Sequence, residues 1–349
     1  MSKIDFIHLL PSHFPYGAHG MLSELHYALD KYHSDEVNQE IVCLKDKPEP
    51  EWFCGKTKHV NREKLADWAK RKKTNPVFFL HKLSATDCSK VSTVIYGKVP
   101  FVIINHTSCD TCKGLARSNC IVAVSKTMQK SIKNQRKGAR VDFIVNGVNA
   151  CRYEGIEPYK LEDVKDYFVT GRMNNFNGCK HPQDWIPWIK SSRFSKPLWH
   201  DYLGDGVHFK RANLQAKNTK RNTGNIVNLT GRINDFKTKV GFIKRWDAFL
   251  YDIPGKEGTS MSLLESLACG VPAVINDKPG NNEIIVKNVN GYVYKSKEKA
   301  IDFINNMIKD PKYHADLCSS TRDHFEKKLD AKHMAKKYLD LAKELSSNG

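Results

Sequence analysis

Short apolar runs recur along this chain, and helix-length stretches separate many of them. Ile4–Leu10, Glu40–Leu44, Pro76–Leu80, Val99–Asn105, Ile121–Val124 and Val141–Val145 read as buried strands, with helical candidates such as Met21–Tyr32 and Lys126–Gln135 between them. Strands apolar on both faces, joined by crossovers that can hold a helix, give a parallel sheet covered on both sides. A second series follows at Tyr167–Thr170, Asn225–Leu229, Ala248–Tyr251, Ala273–Ile275 and Gly291–Tyr294. Two such series predict an α/β protein of two doubly wound domains. The polar segment 152–166, with Gly155 and Pro158, suits a linker. The expected organisation is a Rossmann-like domain over 1–155, a second over 156–320, and a charged helical stretch at 321–349 that packs back toward the first domain. At 349 residues, each domain is large enough for its own core.

No run of 18 apolar residues occurs, so no transmembrane helix is expected. Asp5 and His8 interrupt the first apolar run, which therefore reads as a strand and not a signal peptide. Ten cysteines at irregular spacing do not resemble a disulfide framework and point to a reduced, cytoplasmic setting. The net charge is +18: residues 1–150 hold 23 Lys and Arg against 14 Asp and Glu, and the remainder 33 against 24, so each part bears +9. The densest segment, 207–245, has ten Lys and Arg against the single Asp235. A field of this sign attracts polyanions such as nucleic acid, anionic lipid headgroups or acidic glycans.

One string concentrates the chemistry: Glu257-Gly-Thr-Ser-Met-Ser-Leu-Leu-Glu265, continued as Ser-Leu-Ala-Cys-Gly270-Val-Pro-Ala-Val-Ile275-Asn. A Gly turn opens a helix rich in small polar residues, and Gly270 followed by Pro272 stops it before an apolar strand. The unpaired N–H groups of 258–262 and the helix dipole make a seat for a phosphate or diphosphate. Glu265, two turns in, has two oxygens for the vicinal hydroxyls of a ribose. Glu257 precedes the helix, within reach of whatever the distal phosphate carries. An ordinary amphipathic helix, with Met261, Leu263, Leu264 and Leu267 as its core face, is the competing reading.

The string resembles the nucleotide-sugar motif of retaining GT-B glycosyltransferases, in particular glycosyltransferase family 4. Seven residues separate the two glutamates, and Ala268-Cys-Gly-Val-Pro-Ala273 follows. Asn281-Asn-Glu-Ile-Ile285 and Asn290-Gly-Tyr-Val293 are similar to the family's downstream markers. Gly17-Ala-His-Gly20 is similar to its Gly-rich first loop, Ile104-Asn-His106 to its active-site histidine at a strand end, and Phe143-Ile-Val-Asn-Gly-Val148 to its signature before the linker. Thr170-Gly-Arg172 resembles the start of its second domain. The resemblance implies the GT-B fold, two Rossmann-like domains facing across a cleft. It implies sugar transfer, with retention, from a nucleotide-diphosphate donor, possession of no cofactor and no obligatory metal. Its implied catalytic residues are His106 and Glu257. Implied donor contacts are Gly17, Arg172, Lys180, Gly258, Thr259, Ser260, Met261, Ser262 and Glu265. Asn177 stands where the family places a lysine, and Lys180 is the nearby substitute.

Two matters stay open at this level. His106, Cys109, Cys112 and Cys120 have plausible zinc spacing, which competes with a catalytic His106. The acceptor is also open. A hydroxymethylated base in DNA, as for phage-type DNA-modifying members, is the first choice, with His19, Lys210, Arg211, Lys217, Lys220 and Arg221 as candidate acceptor contacts. A lipid-linked or lipopolysaccharide acceptor at a membrane surface is the second. A non-catalytic nucleotide- or polyanion-binding module, favoured by Asn177, is the third.

Overall fold

A computed structural model describes residues 3–11, 17–45, 51, 53–61, 63–71, 76–81, 99–106, 118–160, 164–218, 223–255 and 257–347. Two compact units make up the chain: Met1–Asn149 with Leu329–Gly349, and Ala150–Lys328.

The first unit runs β1 (Ile4–Leu10), α1 (Gly17–His33), β2 (Val37–Cys43), β3 (Thr57–His59), α2 (Leu65–Lys70), β4 (Pro76–His81), β5 (Phe101–Asn105), β6 (Cys120–Ala123), α3 (Lys126–Gln135) and β7 (Val141–Phe143). Its strands form one parallel sheet in the order β3-β2-β1-β4-β5-β6-β7, so the direction of winding reverses between β1 and β4. All six residues of β4 are buried, as a strand covered on both faces requires. Ile7, Leu9, Val42, Phe78, Leu80 and Phe101 form one face of this core. The C-terminal helix Ala331–Ser347 lies against the sheet, with Tyr338 edge-on to Phe79 at 5.8 Å between ring centroids.

The second unit repeats the plan: β8 (Phe168–Met173), α4 (Trp185–Ser191), β9 (Leu198–Leu203), α5 (Phe209–Asn218), β10 (Ile226–Gly231), α6 (Phe236–Lys244), β11 (Ala248–Tyr251), α7 (Met261–Ala268), β12 (Ala273–Asn276), β13 (Gly291–Tyr294), α8 (Lys297–Lys309) and α9 (Pro311–Lys328). The parallel order is β10-β9-β8-β11-β12-β13, reversing between β8 and β11. Local chemistry sets the helix ends. Asp235 accepts the Thr238 amide at 2.6 Å as the cap of α6. After α7, Gly270 takes φ +76° and the Val271 amide returns to the Ser266 carbonyl, a left-handed stop that suits glycine.

Two strands were not expected from the sequence, β3 and β9. The charged stretch at 321–347 is also not one helix. It breaks after Lys328, where the Ala331 amide bonds the Val148 carbonyl and Asp330 Oδ1 accepts the Lys332 amide to start the last helix.

Candidate active site

Both glutamates of the central string hold lysines. Glu257 lies in the loop after β11, at the carboxyl end of that strand. Its Oε1 receives Lys180 Nζ at 2.5 Å; its Oε2 receives Tyr251 Oη at 3.1 Å and Asn281 Nδ2 at 3.3 Å. Lys180 reaches this point because Asn177 Oδ1 accepts the amides of Cys179 and Lys180, turning the loop after β8 back on itself. Burial, and then Glu257 itself, pushes the Tyr251 phenol well up, so this hydroxyl is a fixed donor. Glu265, in the second turn of α7, receives Lys239 Nζ at 2.9 Å, and that ammonium also lies 5.2 Å from the Phe236 ring centroid.

The start of α7 lies between these two glutamates in sequence. Ser260, its first flanking residue, makes no side-chain cap bond; its hydroxyl instead pairs with Ser262 Oγ at 2.9 Å. The Ser260 amide is taken by Asn281 Oδ1 at 2.8 Å. That corrects one expected donor: among 258–262, this N–H is already satisfied. The amides of Met261, Ser262 and Leu263 are those that helical geometry leaves without an intrahelical partner. Thr259, Ser260 and Ser262 are almost completely buried. Gly258 is pressed by the neighbouring loop: Gly280 takes φ +96°, and a Cβ there would fall 2.1 Å from the Glu257 carbonyl oxygen and 2.3 Å from that of Gly258.

Arg172 does not lie on an exposed surface, as the diphosphate role expected of it would suggest. It is fully buried on β8, with its guanidinium carbon 4.6 Å from the centroids of Trp185 and Tyr202 and 5.0 Å from Tyr251. Nε donates to Asn174 Oδ1, and Nη2 to the carbonyls of Lys180 and Asp252. It therefore braces the loop that carries Lys180. Nη1 has no acceptor among the described residues.

In the first unit, His106 follows β5 and lies 3.3 Å through Nε2 from His81 Nδ1. His81 Nε2 in turn lies 3.1 Å from His8 Nδ1. Burial holds His8 down to about 3 and His81 well below the usual imidazole range. His19, on α1, is buried and acts electrostatically on His81. An open acceptor surface is thus not where His19 sits. Gly17 is the exposed first residue of α1.

Position rules out His106 and Cys120 as ligands of one zinc ion. Cys120 pairs with Val102 and opens β6, whereas His106 lies beyond the far end of β5. Four residues of strand separate them along the sheet, roughly 13 Å, against metal–ligand bonds of about 2.0–2.3 Å. Burial and Asp142 also raise the Cys120 thiol to about 12. Cys109 and Cys112 lie outside the described residues, as do Lys220 and Arg221. Lys210, Arg211 and Lys217 are exposed on α5. The sequence reading missed Lys239, Tyr251 and Asn281 as site residues. Asn281 opens the stretch 281–285 already noted; Lys239 carries no local signal.

Two doubly wound units of seven and six parallel strands, each with its winding reversal, decide the architecture. The fold is GT-B. Comparison with known proteins agrees. Residues 202–324, which include α7 and both glutamates, match the family described as Glycosyl transferases group 1. A glycosyltransferase from Rickettsia africae superposes with a TM-score of 0.76 over 100% of both chains at 13% identity. HepE of Anabaena, solved with UDP-glucose, superposes at 0.74 over 98% of this chain and 99% of that one at 16% identity. A GDP-mannose-dependent alpha-(1-6)-phosphatidylinositol dimannoside mannosyltransferase of Mycobacterium tuberculosis is 29% identical over 110 residues, 31% of this chain. The match spans 28% of that relative's length. No helix among the described residues is long and apolar enough to cross a membrane.

Proposed function

We propose that the chain transfers a sugar, with retention, from a nucleotide-diphosphate donor to an anionic or anion-borne acceptor. One observation carries the proposal: the start of α7, without a side-chain cap, is flanked in sequence by two glutamates that each hold a lysine. The main barrier to such a transfer is negative charge building on the departing diphosphate. The amides of Met261 and Ser262 would accept that charge, with Lys180 beside them. Arg172 Nη1 is the nitrogen of its guanidinium still without an acceptor, so a phosphate oxygen that reached it would complete its bonding. Glu265 would hold the ribose hydroxyls through Oε2 while Lys239 fixes its rotamer through Oε1. An arriving diphosphate competes with Glu257 for Lys180 and turns that carboxylate toward the sugar. His106, by its resemblance, is the sugar contact of the first unit. The solved HepE complex and the named donor of the mycobacterial relative favour a UDP- or GDP-sugar.

The acceptor has two readings. A hydroxymethylated base in DNA is the one drawn from charge. A second is favoured by α5. Among the described residues, Val207 and Leu214 are the two most exposed large hydrophobics, at 83% and 59%. Leu214 shares the exposed face of α5 with Lys210, Arg211 and Lys217, and Val207 stands in the turn just before that helix. The opposite face, Phe209, Ala212 and Ala216, packs into the core. Phosphate tracking needs the cations alone, whereas an anionic bilayer surface uses both cations and aliphatics. The mycobacterial relative acts, by its name, on a lipid-borne sugar. We therefore place a lipid-borne acceptor ahead of DNA. The test is incubation with UDP-glucose or GDP-mannose, offering glycolipid in anionic vesicles and hydroxymethylated duplex DNA in parallel. Mass spectrometry then identifies the product. Sugar found on the lipid supports the first ordering and sugar on nucleosides reverses it. Hydrolysis and transfer both absent with every donor would leave only a binding module.

A further inference from the structure

His8, His81 and His106 of the first unit lie on a diagonal that the sheet register makes. His8 pairs with Phe79, so His81 stands two residues further along the neighbouring strand. His81 pairs with Ile104, and His106 stands two residues beyond that. A step of two keeps side chains on one face, and β1, β4 and β5 are adjacent. The rings therefore climb one face toward the carboxyl ends. Their contacts are 3.1 Å from His8 Nδ1 to His81 Nε2 and 3.3 Å from His81 Nδ1 to His106 Nε2. The last two rings are stacked, with centroids 5.5 Å apart. His8 and His81 are wholly buried.

This chain has a direction. A neutral imidazole carries one N–H and one lone pair. His8 Nε2 is buried and has no partner among the described residues. A buried N–H left unsatisfied is rarer and costlier than an idle lone pair, so the His8 proton belongs on Nδ1. His8 Nδ1–H then donates to His81 Nε2, which puts the His81 proton on Nδ1. His81 Nδ1–H donates to His106 Nε2, which fixes that nitrogen as an acceptor. We infer that His8 and His81 are positioning residues that hold His106 as a neutral imidazole with its proton on Nδ1. His106 Nε2 is then engaged by His81 and is no available base. The groups acting on the pair are themselves histidines: His26 on His8, and His19, His8 and His106 on His81. Among the described residues, none of the groups acting on His8 and His81 supplies the negative charge that would favour an imidazolium there. Protonating His106 at Nε2 would set two N–H groups facing each other unless His81 and His8 both changed tautomer.

The inference rests on the reading of His106 as the sugar contact only for its use in catalysis; its test does not. Long-range proton–nitrogen spectra of 15N-histidine protein, with His106 assigned from H106Q, report each tautomer directly. The expected result is an Nδ1–H form for His8, His81 and His106. His81→Phe removes the donor and keeps the ring. His106 should then show mixed tautomers. His8→Phe should loosen His81 first and His106 less. An Nε2–H form of His106 in the parent protein overturns the inference whatever the variants do, as does a His106 spectrum indifferent to H81F. Absence of transfer, with the tautomers as stated, defeats the proposed function and leaves the histidine chain standing.

Discussion

Gly280→Ala tests whether one glycine holds the donor loop together. The new Cβ would sit 2.1 Å and 2.3 Å from the carbonyl oxygens of Glu257 and Gly258. Both contacts are to backbone, so relief requires moving one loop by more than an ångström. The φ of +96° adds the left-handed cost, about 1–2 kcal/mol for a residue with a Cβ. Moving the loop also withdraws Asn281 from the Ser260 amide and from Glu257, at about 1 kcal/mol for the neutral bond and about 1.5–3 for the charged one. The sum is about 4–6 kcal/mol. Gly155→Ala supplies the control. It shares the second unit and a positive φ of +65°, but nothing lies within 4 Å of its Cβ. Its cost is the φ term alone, about 1–2 kcal/mol. Thermal unfolding should therefore separate the two variants by roughly 5–15 °C, at about 2–4 °C per kcal/mol for a unit of this size. Titration with UDP should show G280A binding at least about tenfold more weakly and G155A binding as the parent does. Equal melting of the two variants would refute the packing account, and unchanged UDP affinity in G280A would detach this loop from the donor site.

Asp201→Asn should cost about 3–5 kcal/mol in urea unfolding. This carboxylate is fully buried and accepts from Arg245, Trp199, Trp246 and Asn228, so an amide there must turn a donor toward donors; a loss under about 1 kcal/mol contradicts the network. Lys239→Met should weaken UDP binding about tenfold by releasing Glu265, with recovery in Lys239→Arg; calorimetric titration measures both, and parent-like affinity in K239M removes Glu265 from ribose recognition. Stability should also fall with acid. His8 and His181 titrate at about 3 and about 4 when folded, against 6.5 unfolded, because burial opposes their charge. The unfolded chain therefore binds more protons below pH 6.5, so stability is full above that value and declines beneath it by about 1.4 kcal/mol per pH unit for each histidine. Melting temperatures that rise between pH 6.5 and 5 would contradict this, and His181→Phe should flatten part of the slope.

Strands buried on both faces advertise themselves in sequence, and most of the sheet was legible for that reason. Ala248–Tyr251 and Gly291–Tyr294 fall where the apolar runs place them. Leu198–Leu203 did not, because it carries His200 and Asp201, which read as surface residues. Both are wholly buried and satisfied by partners far along the chain: Thr170 and Trp185 for His200, Arg245 for Asp201. A strand that buries ionisable groups cannot be recognised until those partners are known. The break near Asp330 was hidden for a similar reason, since the bond that anchors it, to Val148, spans just over half the chain.

The site divides along the same line. A helix N-terminus after a Gly turn is a local property, so the position of α7 and of both glutamates followed from adjacent residues. What each glutamate holds is not local. Lys180 comes from the loop after β8 and Lys239 from α6, and only the sheet order brings them to α7. The pairing changes the chemistry expected of the motif. Two bare carboxylates beside a diphosphate seat would repel an anionic donor, since like charges about 4 Å apart cost several kcal/mol at protein-surface dielectric. Two carboxylates already neutralised by lysines do not. On the proposed function, the arriving phosphates would draw Lys180 away from Glu257, and the carboxylate so released would be left facing the sugar. Donor binding and the arming of Glu257 would then be one exchange of partners. Replacing Lys180 with methionine should therefore hurt twice, weakening UDP-sugar binding and slowing turnover of what still binds. A K180M enzyme with raised KM and unchanged kcat would show that Lys180 only attracts the donor and that no such exchange takes place.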